Sequence, residues 1–199
     1  MPAIGITGGI STGKTSFVEC LRELVPNAHF FDADLAAREL GDKGSEVRGL
    51  IEKEFGAEVY SKSGDLNRKR LRSIVFADAG KKRALEQILH PRIRRQWSLE
   101  AERHRNSAEL FFADIPLLYE TGGETLCDRV VVVACSPRVQ LERLMKRMGL
   151  DESEAEQMID GQMPLTEKIA RADHVVWNNG ERNGLAEQAR LLANFWMSK

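Results

Sequence analysis

This sequence has little of what usually assigns a chain to a class at sight. Its 29 lysines and arginines balance 30 aspartates and glutamates, a formal net charge of −1. No overall field therefore draws it to nucleic acid or to an anionic membrane. The three cysteines, Cys20, Cys127 and Cys135, are odd in number, lie in apolar patterns and lack C-x-x-C spacing. That argues against a disulfide framework and against a zinc site, and for buried free thiols in a reducing compartment. No run is apolar for long enough to span a bilayer. The opening MPAIGITGG lacks the basic flank and long apolar stretch of a secretion signal, so a cytoplasmic protein is expected. Internal repeats and low-complexity linkers are missing, and no asparagine is followed by lysine. The last absence removes the N-K-x-D guanine-reading element and weakens a GTPase-type reading. At 199 residues, 42% of them hydrophobic, the chain has material for one good core with insertions or a small appendage.

What is present is glycine, concentrated before a lysine. Residues 5 to 16 read GITGGISTGKTS, in which Gly8, four residues and then Gly13-Lys14-Thr15 match G-x-x-x-x-G-K-[ST], the phosphate-binding loop. The alternating Ala3 to Thr7 precedes it as a strand. Phe17, Leu21 and Leu24 follow at helical spacing, closed by Pro26 and Asn27. Glycines at positions 8 and 13 let main-chain N–H groups surround a polyphosphate, and the helix start adds partial positive charge. Lys14 would bridge the outer phosphates, and the Thr15 hydroxyl would ligate a magnesium ion shared with them.

Short apolar runs alternate with helical periodicity, the pattern of an α/β fold with a largely parallel sheet. Further strands are expected at Ala28 to Phe31, Leu110 to Ile115, Arg129 to Cys135 and His174 to Trp177. The basic stretch from Leu66 to His104, interrupted by Pro91 after His90, reads as an inserted helical lobe. A second charged helical excursion runs from about Pro137 to Ala172.

A nucleotide on the loop needs a group to use it, and the carboxylates near strand ends are candidates. Asp32 and Asp34 follow the second strand, where open α/β sheets place their crevice, and strand alternation would point both the same way. One of them could take or orient the proton of an attacking hydroxyl; either could instead cap the helix LAAREL. Asp114 ends the strand ELFFAD, as a carboxylate near the metal or as a strand-terminating turn before Pro116. Arg68, Lys69, Arg70 and Arg72 read mostly as a solvated helix face.

Taken in order, GITGGISTGKT, DADLAAR (Asp32 to Arg38), LHPRI (Leu89 to Ile93), DIPLLYE (Asp114 to Glu120), QMPLTEK and ADHVVWNNG resemble the dephospho-coenzyme A kinase family over nearly the whole chain. The resemblance implies a P-loop NTPase-type three-layer α/β fold with a five-stranded parallel sheet, a helical CoA-binding insertion and a helical lid. It implies segments 1–60, 106–138 and 173–199 for the nucleotide-binding core, 61–105 for the acceptor region and 139–172 for the lid. The implied activity is transfer of the ATP γ-phosphoryl group to the ribose 3′-hydroxyl of dephospho-CoA, the last step of CoA synthesis, with Mg²⁺.

Residue by residue, the resemblance puts ATP on Gly8, Ser11, Thr12, Gly13, Lys14, Thr15 and Ser16, with Asn178 and Gly180 beside the adenine. It gives hydroxyl activation to Asp34, with Lys14, Arg143 and Arg147 neutralising the transferring group. Asp32, Arg38, His90, Pro91, Leu117 and Leu118 shape the acceptor site, and Thr15 and Asp114 attend the metal. His90 also reads as a helix-end residue that packs. The implied partners are ATP and dephospho-CoA, with no nucleic acid and no membrane, in a monomer or weak homo-oligomer.

The chain departs from the family pattern twice. Ser11 stands where GGIGSGK has its central glycine, and binding is expected to survive with ordinary backbone angles there. Met158 stands near where a lid arginine is often found, a loss that Arg143, Arg147 and Arg171 are expected to cover. The rival readings are another P-loop small-molecule or nucleoside monophosphate kinase, and a nucleotide-dependent switch.

Overall fold

The computed structural model describes residues 2–61, 63–105, 107 and 109–198, with Lys43 described by its backbone alone. Residues 1, 106 and 199, where core segments were expected to begin or end, lie outside that set. In chain order the elements are β1 (Ala3–Gly8), α1 (Lys14–Leu24), β2 (His29–Asp32), α2 (Ala33–Lys43), α3 (Ser45–Phe55), α4 (Arg68–Ala77), α5 (Ala79–His104), β3 (Phe111–Asp114), β4 (Arg129–Ala134), α6 (Pro137–Met148), α7 (Glu152–Asp160), α8 (Leu165–Arg171), β5 (His174–Trp177) and α9 (Arg182–Met197). Short 3-10 turns occupy Ala57–Val59 and Gly123–Leu126.

The strands form a five-stranded sheet in the order β2-β3-β1-β4-β5. β1 is parallel to β3, with Ile6 opposite Asp114, and parallel to β4, with Gly8 opposite Val133; β4 is parallel to β5. Gly8, Asp114, Ala134 and Trp177 are therefore carboxyl ends of neighbouring parallel strands, at one end of the sheet. The strand expectations hold to within a residue or two, and His174 to Trp177 holds at both ends.

The chain divides into two compact units, Met1–Phe31 with Glu100–Lys199, and Asp32–Leu99. In the first, every residue of β1 is buried. Ile4 and Ile6 pack with Phe112, Val131 and Val133 of the neighbouring strands against Phe17 and Leu21 of α1 and Ala189, Ala193 and Trp196 of α9. Phe17 is wholly removed from solvent, a burial that contributes roughly 1.5–3 kcal/mol. Leu24, expected on this apolar stripe, is exposed; Val18 and Cys20 take part instead, because the buried arc of α1 is turned toward α9.

The second unit has its own core of Val47, Ile51, Phe55, Val59, Tyr60 and Leu71, joined by Leu85 and Ile88. Helix α5 continues through Pro91 for 26 residues, so Pro91 does not interrupt the helix and His90 is not a helix-end residue. Proline removes one N–H and crowds the carbonyl four residues back. One residue on, the Arg92 guanidinium donates to the Ile88 carbonyl at 2.8 Å.

Candidate active site

The turn from β1 into α1 is shaped by what crowds it. A Cβ on Gly8 would lie 2.5 Å from the Val133 carbonyl oxygen. Gly13 has φ 95° and ψ 24°, and a Cβ there would collide with the Asn178 side-chain nitrogen. Only glycine meets both demands. Between them Thr12 is buried and donates its hydroxyl to the Gly9 carbonyl at 2.9 Å, closing the loop on itself. Helix α1 starts at Lys14 with no side-chain cap and no acid in its first turn. Its first N–H groups, together with the helix dipole, present a place for an anion.

Ser11 corrects an expectation. Its φ is 61°, so its backbone is not ordinary; it occupies the left-handed region that a glycine enters freely and a β-carbon opposes. Its hydroxyl is buried and has no hydrogen-bond partner among the described residues.

Lys14, just past the carboxyl end of β1, pairs with the carboxylate of Asp114, at the end of the adjacent β3. Asp114 is itself buried, and Thr15 is exposed one residue beyond the lysine. These are hard oxygen donors of the kind magnesium takes in ones and twos while its other positions go to water and phosphate, so the donor set fits. Among the described residues no cluster of three or more His, Cys, Asp or Glu could hold a metal by itself.

Four side chains that the sequence reading gave no place on the loop grip its backbone. Lys168, fully buried on α8, donates to the Gly8 carbonyl at 3.3 Å and the Pro116 carbonyl at 3.2 Å, and pairs with Glu120 at 2.8 Å. Pro116 also accepts from the Thr7 hydroxyl at 2.9 Å, tying the segment after β3 to β1. Gln140 donates to the Ile10 carbonyl and Gln162 accepts from the Ile10 N–H, each at 2.9 Å. Asn178, whose sequence reading was as a neighbour of adenine, commits its side chain to the Thr12 carbonyl at 2.9 Å. Its own carbonyl accepts from Arg143 at 2.8 Å. The only sequence signal for two of them was membership of the string QMPLTEK, which holds Gln162 and Lys168.

Elsewhere the placements are mixed. Arg143 is half-buried on α6, whereas Arg147, one turn on, is exposed, as are Gly180 and Ser16's neighbour Thr15. Burial pushes the Cys135 thiol up from its ordinary range, and the Arg143 guanidinium beside it opposes that shift. Leu118 is fully buried and Leu117 half-buried. Tyr119 is pushed up to about 12 by burial, against the pull of Arg171, whose guanidinium lies 4.3 Å from the ring centre. Cys127 is raised to about 12, mainly by burial, and is half-buried rather than buried.

In the other unit, Asp32 is both the last residue of β2 and the N-cap of α2, its carboxylate accepting from Leu35 N at 2.9 Å. Asp34 is exposed in the first turn of that helix. Strand alternation therefore does not relate the two acids, because the helix begins between them. Arg38 follows Asp34 by one helical turn and is exposed; His90 and Pro91 stand within α5. Arg68 and Arg70 pair with Asp42 and Glu58 on the surface, in keeping with a solvated face.

Comparison with known proteins bears on this arrangement directly. The family model for dephospho-CoA kinase matches residues 2–183. A dephospho-CoA kinase of Anaeromyxobacter dehalogenans is 46% identical over 198 residues, 98% of this chain and 92% of that protein. One of Bacillus anthracis is 40% identical over 194 residues, 97% of this chain and 96% of that protein. A solved dephospho-CoA kinase of Campylobacter jejuni superposes with a TM-score of 0.76 at 25% identity, covering 98% and 97% of the two chains. A glycine loop, its lysine and the strand-end acid beside it thus occur in a chain that belongs to the dephospho-CoA kinase family.

Proposed function

We propose that the chain transfers the γ-phosphoryl group of ATP to the ribose 3′-hydroxyl of dephospho-CoA, giving CoA and ADP, and that the Gly8–Thr15 loop is where the transfer is organised. The observation that carries this reading is the loop itself, held open at two crowded glycine positions and leading into a helix start free of acidic side chains. Residues Ser11 to Ser16 hold the phosphates through main-chain N–H groups other than that of Thr12, which closes on the Gly9 carbonyl, and Lys14 leaves Asp114 to neutralise their outer oxygens. The N-x-G turn at Asn178 and Gly180 borders the adenine.

In the chemical step the 3′-oxygen attacks the γ-phosphorus, the bond to the β–γ bridging oxygen breaks, and ADP departs with that electron pair. Asp34 accepts the proton lost by the hydroxyl. Arg143 and Arg147 neutralise the charge that spreads over the transferring oxygens. Magnesium, when bound, would be held by the Thr15 hydroxyl and the Asp114 carboxylate and would neutralise phosphate charge. Asp32, Arg38, His90, Pro91, Leu117 and Leu118 are assigned to the acceptor, and 61–105 is the acceptor region.

Segment 139–172 acts as the lid that excludes water, the competing nucleophile. Gln140 and Gln162 are bonded to the loop and Arg143 to the Asn178 carbonyl, which leaves 145–161, with Arg147, as the part to close. The enzyme works in the cytoplasm as a monomer or weak homo-oligomer.

A coupled assay with ATP, Mg²⁺ and dephospho-CoA tests the roles. Asp34→Asn should lower kcat by about 10²-fold or more with ATP affinity nearly kept, because a base contributes to the step and not to nucleotide binding. Lys14→Ala should lower both. Full turnover in Asp34→Asn would move the role to Asp32 or Asp114.

A further inference from the structure

Ser11 is strained and yet held, and what holds it is specific. Among the described residues it alone has a positive φ without being glycine. Such strain persists only where the surroundings over-determine the backbone. The two peptide groups that meet at the Ser11 α-carbon are both pinned. The one before it offers the Ile10 carbonyl to Gln140, and the one after it sends the Thr12 N–H to the Gly9 carbonyl at 3.3 Å. One peptide earlier, the Ile10 N–H is taken by Gln162. An N–H can only donate and a carbonyl only accept, so the orientation of each glutamine amide is fixed by its partner.

Resting on the phosphate-loop reading above, we propose that Gln140 and Gln162 are positioning residues for phosphoryl transfer. By gripping both polar main-chain groups of Ile10 they keep Ser11 left-handed and the loop's N–H groups converged before nucleotide arrives. The chemistry is preorganisation: donors that need no rearrangement on binding lose none of the interaction energy to ordering. Gln140 sits in the first turn of α6 and Gln162 just after α7. They are brought to one residue of the loop from 130 and 152 positions away, and neither touches the nucleotide in this scheme.

Glycine at position 11 needs no such grip, and that makes the idea testable by suppression. Nucleotide binding would be measured by titration calorimetry with MgADP for the unmodified protein, Gln140→Met and Gln162→Met, and again for each in the Ser11→Gly background. Thermal unfolding would be recorded alongside, with Lys14→Ala as the reference for the loop. Methionine keeps the shape of glutamine without its amide. The expected result is a loss of about tenfold in affinity with serine at position 11, shrinking to about threefold or less when Ser11→Gly is present. A glutamine variant that folds only in the Ser11→Gly background would support the same conclusion.

Equal losses in both backgrounds, no loss in either, or failure to fold in both would overturn it. If Lys14→Ala left affinity intact, the loop reading would fall and the proposal with it. Glutamine variants without effect beside a damaged Lys14→Ala would defeat the proposal alone.

Discussion

Lys168 offers the sharpest test of how the loop is supported from below. Its ammonium has no solvent exposure and is satisfied by three oxygens, of Glu120, Gly8 and Pro116. Lys168→Met retains the apolar stem and deletes the charge, leaving the Glu120 carboxylate without its cation. Removing one partner of a buried pair costs about 3–5 kcal/mol. Here the low end applies, because the Glu120 side chain is 22% exposed and keeps the Met163 N–H, and Pro116 keeps the Thr7 hydroxyl. A loss of about 3 kcal/mol in a chain of this size corresponds to about 6–12 °C in Tm, at about 2–4 °C per kcal/mol. Calorimetric or circular-dichroism melts would read it. Adding Glu120→Gln removes the orphaned charge and should restore about 2 kcal/mol of the loss. A single variant within about 0.5 kcal/mol of the unmodified protein, or a double variant no better than the single, would refute the reasoning.

Two further outcomes follow from the same geometry. Gly13→Ala should destabilise by about 3 kcal/mol, since a β-carbon is forced into positive φ and onto the Asn178 amide; unfolding in urea with a parallel nucleotide titration would reveal both the lost stability and the lost binding. Alkaline pH should also weaken the fold. Cys127 and Tyr119 are raised from 9.0 and 10.0 to about 12, so their contribution is complete below about pH 9 and drains away as pH climbs toward 12. Cys127→Ala should flatten the lower part of that decline in a series of melts, and an unchanged slope would remove the thiol from the explanation.

The sheet was legible because alternation and glycine punctuation are local signals, and β5 runs from His174 to Trp177 as its pattern reads. The glycine loop was legible for the same reason. Pro91 was misleading: a 26-residue helix with contacts along its length absorbs one missing hydrogen bond, which a local breaker rule does not anticipate. Asp32 and Asp34 look equivalent in DAD, yet a helix starts between them, so one caps and the other stands in the first turn. Least legible were Gln140, Gln162 and Asn178. A polar side chain carries no mark of its partner, and each finds the loop only after the chain has folded across more than a hundred residues. The same holds for Ser11, whose positive φ goes with the two distant glutamine amides bonded to Ile10.

The most direct measurement is to identify what receives the phosphate. The protein would be incubated with γ-labelled ATP, Mg²⁺ and dephospho-CoA, and the products resolved by mass spectrometry and phosphorus NMR. The account predicts one phosphoryl group on the ribose 3′-oxygen of dephospho-CoA, none on an analogue lacking that hydroxyl, and little product with Lys14→Ala. Label found only in inorganic phosphate, or product formed at an undiminished rate by Lys14→Ala, would contradict it.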